Sequence, residues 1–240
     1  SIMTARTMQQ NMQLSFHRYQ LLISQSLQWL VFLYQAVAVI LFILGLFLAT
    51  RWFQQPFLGA FYEHTLVFNG TGPGESAPAW ALFGQVKVGD QLVAINDIPV
   101  KSAEGIRGVL KDRFPGEQAK VTVKPVNGGE NYDVNVTLYS FPQSSRTVYF
   151  VIPSILSAVF LGASLWIFGL RRTEPAGRAF SLFTSSLAIV TGTYFDLVTT
   201  HQFTVMWTAA AAISAGALIN LAVTFPVEPR FIINRPYLRW

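Results

Sequence analysis

The chain has no cysteine, only three histidines and few charges, and each scarcity removes a class of chemistry. Without cysteine there is no disulfide framework, no thiolate nucleophile and no cysteine-based metal site. His17, His64 and His201 are far apart and no H-E-x-x-H pair occurs, which excludes a zinc protease of that class. Neither a metal nor a cofactor is therefore expected. Charged residues make up 12% of the 240 positions, about half the share of an ordinary soluble domain. No basic run is long enough to follow a phosphate backbone, so nucleic acid is not an expected partner. No dimerisation helix, phospho-accepting histidine motif or ATP-binding glycine motif is present, and no nucleophile stands beside a base. The expectation is a non-enzymatic chain, with catalysis left open only if a cytoplasmic catalytic domain follows residue 240.

What the sequence holds instead is apolar surface, at 52% of residues. Leu30 to Ala49, Val148 to Leu170, Ala179 to Val198 and Phe203 to Phe225 are each about 20 residues long and nearly free of charge, enough to cross a hydrocarbon layer of about 30 Å. The lipid bilayer is the first partner implied, and four transmembrane helices are expected. The organisation is a cytoplasmic or interfacial segment over 1–28, helix 1 over 29–50, a folded domain over 51–146, helices 2–4 over 147–226 and a C-terminal segment over 227–240. In the first segment, Met12 to Gln28 carries Leu14, Phe16, Tyr19, Leu22, Ile23 and Leu27 at mostly helical intervals, as an interfacial helix or a plain extension of the span would.

Charge placement suggests an orientation. Residues 51–146 contain nine basic and nine acidic residues, whereas the remainder has eight against three. Arg6 and Arg18 precede the first span, Arg171, Arg172 and Arg178 lie between the second and third, and Arg230, Arg235 and Arg239 follow the fourth. Only Arg51 and Arg146 flank spans on the opposite side. By the positive-inside rule both termini are expected in the cytoplasm and the 51–146 domain outside it.

That domain has a soluble pattern. Leu92 to Asn96 alternates as a short strand between turns at Gly89-Asp90 and Asn96-Asp97, and turn geometry accounts for both aspartates. Phe57 to Phe68 suggests one or two short strands, Asn69 to Glu75 a loop and Pro78 to Phe83 a short helix or turn. Ser102 to Phe114 predicts a helix with Ile106, Val109 and Leu110 on one face, capped by Ser102 and stopped by Pro115-Gly116. Strands at Ala119 to Val126 and Tyr132 to Leu138 flank an Asn127-Gly128-Gly129 hairpin turn.

The spans carry their own marks. The third is rich in hydroxyls (Ser181, Thr184, Ser185, Ser186, Thr191, Thr193), which suits a helix facing protein. The fourth places small residues near Gly216 and a lone amide at Asn220, both expected in helix packing, either within the bundle or against another subunit. Asp196 is expected in a solvated or interfacial position or in a polar pair, and His201 as a polar residue at the interface.

Residues 73–138 resemble a bacterial PDZ domain, through Pro73-Gly74, Val88-Gly89-Asp90, Leu92-Val93-Ala94-Ile95-Asn96, Pro99-Val100, the Ser102 to Phe114 helix, Pro115-Gly116 and the Gly128-Gly129 hairpin. The resemblance implies an α+β fold in which a peptide adds a strand in a groove between strand and helix. Carried onto this sequence, it makes Phe57, Leu58, Gly59 and Ala60 the carboxylate-holding loop, and Ile106 and Leu110 the pocket residues. Trp80, Leu82 and Phe83 depart from the pattern, standing where shorter polar residues are common. The arrangement of spans around such a domain resembles the membrane sensor part of PDZ-containing bacterial histidine kinases, including quorum-sensing receptors, and the Phe-Pro segment within 218–240 is similar in composition to those sensors.

The resulting expectation is a multi-pass protein of the bacterial inner membrane, with an extracytoplasmic α+β PDZ-like domain between helices 1 and 2. It would bind an extracytoplasmic peptide or protein and signal through its helices, as a homodimer or within a larger membrane complex. The alternative is a non-catalytic scaffold or accessory subunit of such a complex.

Overall fold

The computed structural model describes residues 2–72 and 80–224, with side chains from Leu22 onward. The Pro73-Gly74 motif and Glu75 of the 69–75 loop, the side chains of Arg6 and Arg18, and the C-terminal segment with Arg230, Arg235 and Arg239 lie outside what is described. The chain divides into two compact units, one of residues 41–157 with 189–209, the other drawn from the remaining helical segments.

Helix α1 runs Ile2–Trp52 without a break, so the N-terminal segment and the first span are one helix. Helix α3 (Gln143–Arg146) passes through a π-turn at Thr147–Val151 into α4 (Ile152–Arg171). The wide turn falls where the Pro153 ring would otherwise meet the Tyr149 carbonyl, which has lost its ordinary N–H partner. Helices α5 (Pro175–Gly192), α6 (Tyr194–Thr199) and α7 (Thr204–Thr224) follow.

The expected four spans are corrected to three. Leu22–Trp52, Gln143–Arg171 and Thr204–Thr224 are long and apolar enough to cross a membrane, whereas the stretch 179–198 is not one helix. Thr193 leaves helical geometry at φ −99° and ψ 6°, which separates α5 from α6. What remains, α5, has 18 residues, including Arg178 and several hydroxyls that dilute its apolar character. With three spans the even count that placed both termini on one side is lost.

In the largely helical unit, the hydroxyls of α5 turn inward. Ser181, Ser185 and Ser186 have no exposure. Ser164 Oγ lies 2.6 Å from Ser185 Oγ, and Gln35 Nε2 donates to Ser164 Oγ at 2.8 Å. A polar seam thus fixes these helices in register, each hydroxyl meeting a partner that lipid would deny it.

In the other unit, strands β1 (Phe61–Tyr62) and β2 (Phe68–Gly70) form a small antiparallel pair. Strands β3 (Gln91–Ile95), β4 (Ile98–Pro99), β5 (Gln118–Lys124) and β6 (Tyr132–Thr137) form an antiparallel sheet in the order β4-β3-β5-β6. Asn96 and Asp97 both have positive φ (50° and 63°), the conformation a two-residue hairpin between β3 and β4 requires. Helix α2 (Ala103–Leu110) begins on Ser102, whose Oγ accepts from the Gly105 amide at 3.1 Å. It ends four residues short of Phe114, because a turn closes from the Arg113 amide to the Leu110 carbonyl and the residue before Pro115 disfavours helix.

The core of this domain is aliphatic, built from the inward faces of β3, β5 and β6 with Ile106 and Leu110 of α2. A second cluster is aromatic and joins the end of α1 to the domain, α3 and α6: Trp52, Phe57, Phe61, Trp80, Phe141 and Phe195 meet at centroid separations such as 4.8 Å (Phe61 and Trp80) and 5.1 Å (Trp52 and Phe195). Of the three departures from the PDZ pattern, Trp80 and Leu82 occupy these two cores and Phe83 is exposed: Trp80 donates Nε1–H to Ser145 Oγ at 3.2 Å, and Leu82 is fully buried in the aliphatic one.

Candidate functional site

The domain's two ends meet before the site is formed. The Phe57 amide donates to the Tyr139 carbonyl at 2.7 Å, and the Tyr139 amide returns to the Phe57 carbonyl at 3.4 Å. This pairing holds 57–60 beside α2. Phe57, Leu58, Ala60, Ile106 and Leu110, all expected site residues, line one cavity together with Tyr62 and Arg107.

The far side of that cavity comes from elsewhere in the chain. Val198, Thr199 and Thr200, at the end of α6, also line it. His201 follows in a left-handed conformation (φ 57°), and its Nε2 lies 2.9 Å from the Tyr62 carbonyl of β1. A carbonyl only accepts, so Nε2 carries the proton. The space left is about 30 Å³, room for a water molecule or two and not for a peptide side chain.

Asp196 holds this turn. It is buried rather than solvated. Its carboxylate accepts from the Gln202 amide at 3.2 Å, the Phe203 amide at 2.7 Å and the Thr200 hydroxyl. These bonds tie α6 to the start of α7. Burial drives the His201 pKa below its ordinary value, against the opposing pull of the Tyr62 carbonyl, Asp196 and Glu63; His64, 6.3 Å away ring to ring, adds to the lowering. The Tyr62 phenol is pushed up to about 12 by burial, with Arg107 nearby drawing it down.

Gly59 has a role other than the one expected. It has φ +101°, and a Cβ there would lie 2.8 Å from the Ala81 amide nitrogen and 2.9 Å from that of Leu82. Glycine is required by the packing of this loop against 81–82, so a larger residue tests the fold before it tests any ligand. The helix-packing pair separates. Asn220 lines a hollow of about 130 Å³ with Leu27, Val31 and Arg178, whereas Gly216 faces open space. The buried face of α7 is Ala210, Ser214 and Ala217. Close helix approach occurs instead at Gly45 and Gly192, where a Cβ on Gly192 would lie 2.6 Å from Ser157 Oγ.

The expected turn role of Asp90 is visible in detail. Its carboxylate accepts from the Lys87 amide at 3.0 Å, the Val126 amide at 2.9 Å and the Tyr132 hydroxyl at 2.7 Å. Burial would raise its pKa, but these bonds and the Lys87 charge hold it below the ordinary carboxylate value. Among the described residues no group of three or more His, Cys, Asp or Glu could hold a metal.

The residues missed from the sequence are Val198 to Thr200, together with the contact that His201 makes. That contact with β1 spans 139 positions, and a polar turn between two apolar stretches carries no local sign of it. The fold and this site together define a multi-pass membrane protein that carries an α+β domain between two of its spans. No family model matches the chain, and no curated protein matches it.

Proposed function

We propose that this chain is the receptor module of a bacterial membrane sensor, whose PDZ-like groove takes an extracytoplasmic peptide. The single observation that carries the proposal is the wall closing the groove: Val198 to Thr200 line its cavity, His201 bonds the Tyr62 carbonyl of β1, and the spanning helix α7 begins three residues later. A peptide that adds to β1 must displace this turn, so occupancy of the groove becomes movement at the start of a membrane helix. The order of strand, hairpin, helix and hairpin, and the meeting of 57–60 with α2 around one cavity, support the PDZ-like reading. Arg171, Arg172 and Arg178, at the far end of the 143–171 helix, favour the cytoplasmic side for that loop and the opposite side for the domain.

The test uses the full chain in nanodiscs, titrated with a library of labelled peptides bearing free C-termini. Asp196→Ala removes the bonds that hold the turn shut, and is expected to tighten peptide binding about tenfold by raising the open fraction. Ile106→Glu, which places a charge on the apolar wall, is expected to abolish binding in either background. Absence of binding by both the wild type and Asp196→Ala would sink the receptor reading and leave the scaffold in its place.

A further inference from the structure

The first span ends beside a basic hollow of about 390 Å³ that adjoins the groove cavity. Arg51 and Trp52 of α1 form one wall and Arg107 and Lys111 of the α2 region another, with Glu104 the lone carboxylate. None of the three cations is in an ion pair among the described residues, whose four pairs are all formed elsewhere. Instead, the Arg51 guanidinium lies over the Phe47 ring at 4.6 Å. Below it on the same helix face, Leu44 and Phe47 are 41% and 51% exposed.

Three cations against one carboxylate call for an anion. The apolar strip that runs from them down a membrane-spanning helix calls for that anion to carry a tail. A free phosphate satisfies the first requirement and not the second. We propose that the hollow binds the phosphate of an anionic phospholipid, with Arg51, Arg107 and Lys111 around the headgroup and an acyl chain along Leu44 and Phe47. The site adjoins the peptide groove, with Trp52, Arg107 and Thr200 common to both, and does not depend on which face of the membrane the domain occupies. It anchors the domain by its α2 side at the level of the headgroups, where Trp52 also sits comfortably.

The test uses the purified full chain in micelles doped with equal amounts of phosphatidylglycerol and phosphatidylcholine, with retained lipid read by native mass spectrometry. Wild type is expected to retain phosphatidylglycerol preferentially. Arg51→Gln and Lys111→Gln are each expected to reduce the preference about fivefold, and Glu104→Gln to increase it, with helical circular dichroism unchanged throughout. Arg172→Gln, which removes the same charge from a distant loop, is expected to leave the preference intact. Equal retention of the two lipids, or an equal loss with Arg172→Gln, would overturn the proposal. So would displacement of the lipid by millimolar glycerol phosphate, which would show that the tail is irrelevant and the ligand a soluble phosphate.

Discussion

The two units bury opposite materials. In the unit with the α+β domain Phe68, Ile95, Val121, Val123 and Leu138 have no exposure, and Asp90 and Asp196 are its buried charges among the described residues. In the largely helical unit Ser164, Ser181, Ser185 and Ser186 have none, while Leu33 is 60% exposed and Trp166 71%. The difference teaches which solvent each unit answers to. Water drives aliphatic side chains into the domain, whereas lipid rewards them nothing for leaving it, so close packing and hydrogen bonds must hold the helices.

Substitutions on each side of this contrast should differ in size. The largest effect is expected from Trp80→Ala, which empties a fully packed indole site and removes the bond to Ser145. A loss of about 3–5 kcal/mol is expected, visible as a lowered thermal midpoint in detergent and early proteolysis within the domain. A cost near zero would mean that the aromatic cluster does not behave as a water-driven core.

Asp90→Asn comes next, at about 1–3 kcal/mol, since its three donors lose a charged acceptor. The sign of the pH effect follows from the depressed pKa. The folded domain binds this proton less readily than the unfolded chain, so the stabilisation is complete above the unfolded value of about 4 and is lost as pH falls through the folded one. Thermal midpoints measured from pH 7 to pH 2 should fall in acid for the wild type, with Asp90→Asn lacking this component. Parallel curves would remove Asp90 from the account.

The smallest effect is expected from Ser185→Ala on the polar seam, about 0.6 kcal/mol, because an unfolded chain within the membrane also finds hydrogen-bond partners. Steric trapping in bicelles can resolve so small a change. A loss several times larger would erase the contrast between the units and make the buried hydroxyls as decisive as the domain's aliphatic core.

Much of the domain was legible in the sequence because its signals are local. The Asn96-Asp97 and Asn127-Gly128 turns set the hairpins, strand alternation set their faces, and Ser102 set the start of α2. The hydroxyl-rich stretch of α5 was legible as inward-facing, but the same hydroxyls should have counted against a span, and Gly192, the last residue of α5, stands directly before the break at Thr193 as a signal the span reading passed over. Of the expected site residues, Phe57, Leu58, Ala60, Ile106 and Leu110 line one cavity, whereas Gly59 packs against 81–82. The cavity's other wall was invisible, because Thr199 and His201 act through tertiary contacts that no spacing encodes. Gly216 failed for a related reason: small residues permit close approach without choosing the helix that approaches.

The Phe57–Tyr139 pair has a consequence for how such a chain is assembled over evolutionary time. The pair brings the chain's entry to the domain and its exit side by side, which gives the domain the connections of a cassette. Swapping one cassette for another, or trimming it to a short linker, alters the closure entropy of the connection only logarithmically, and the helix ends still meet the same short gap. A membrane scaffold built this way can exchange its folded module while the spans keep their connections.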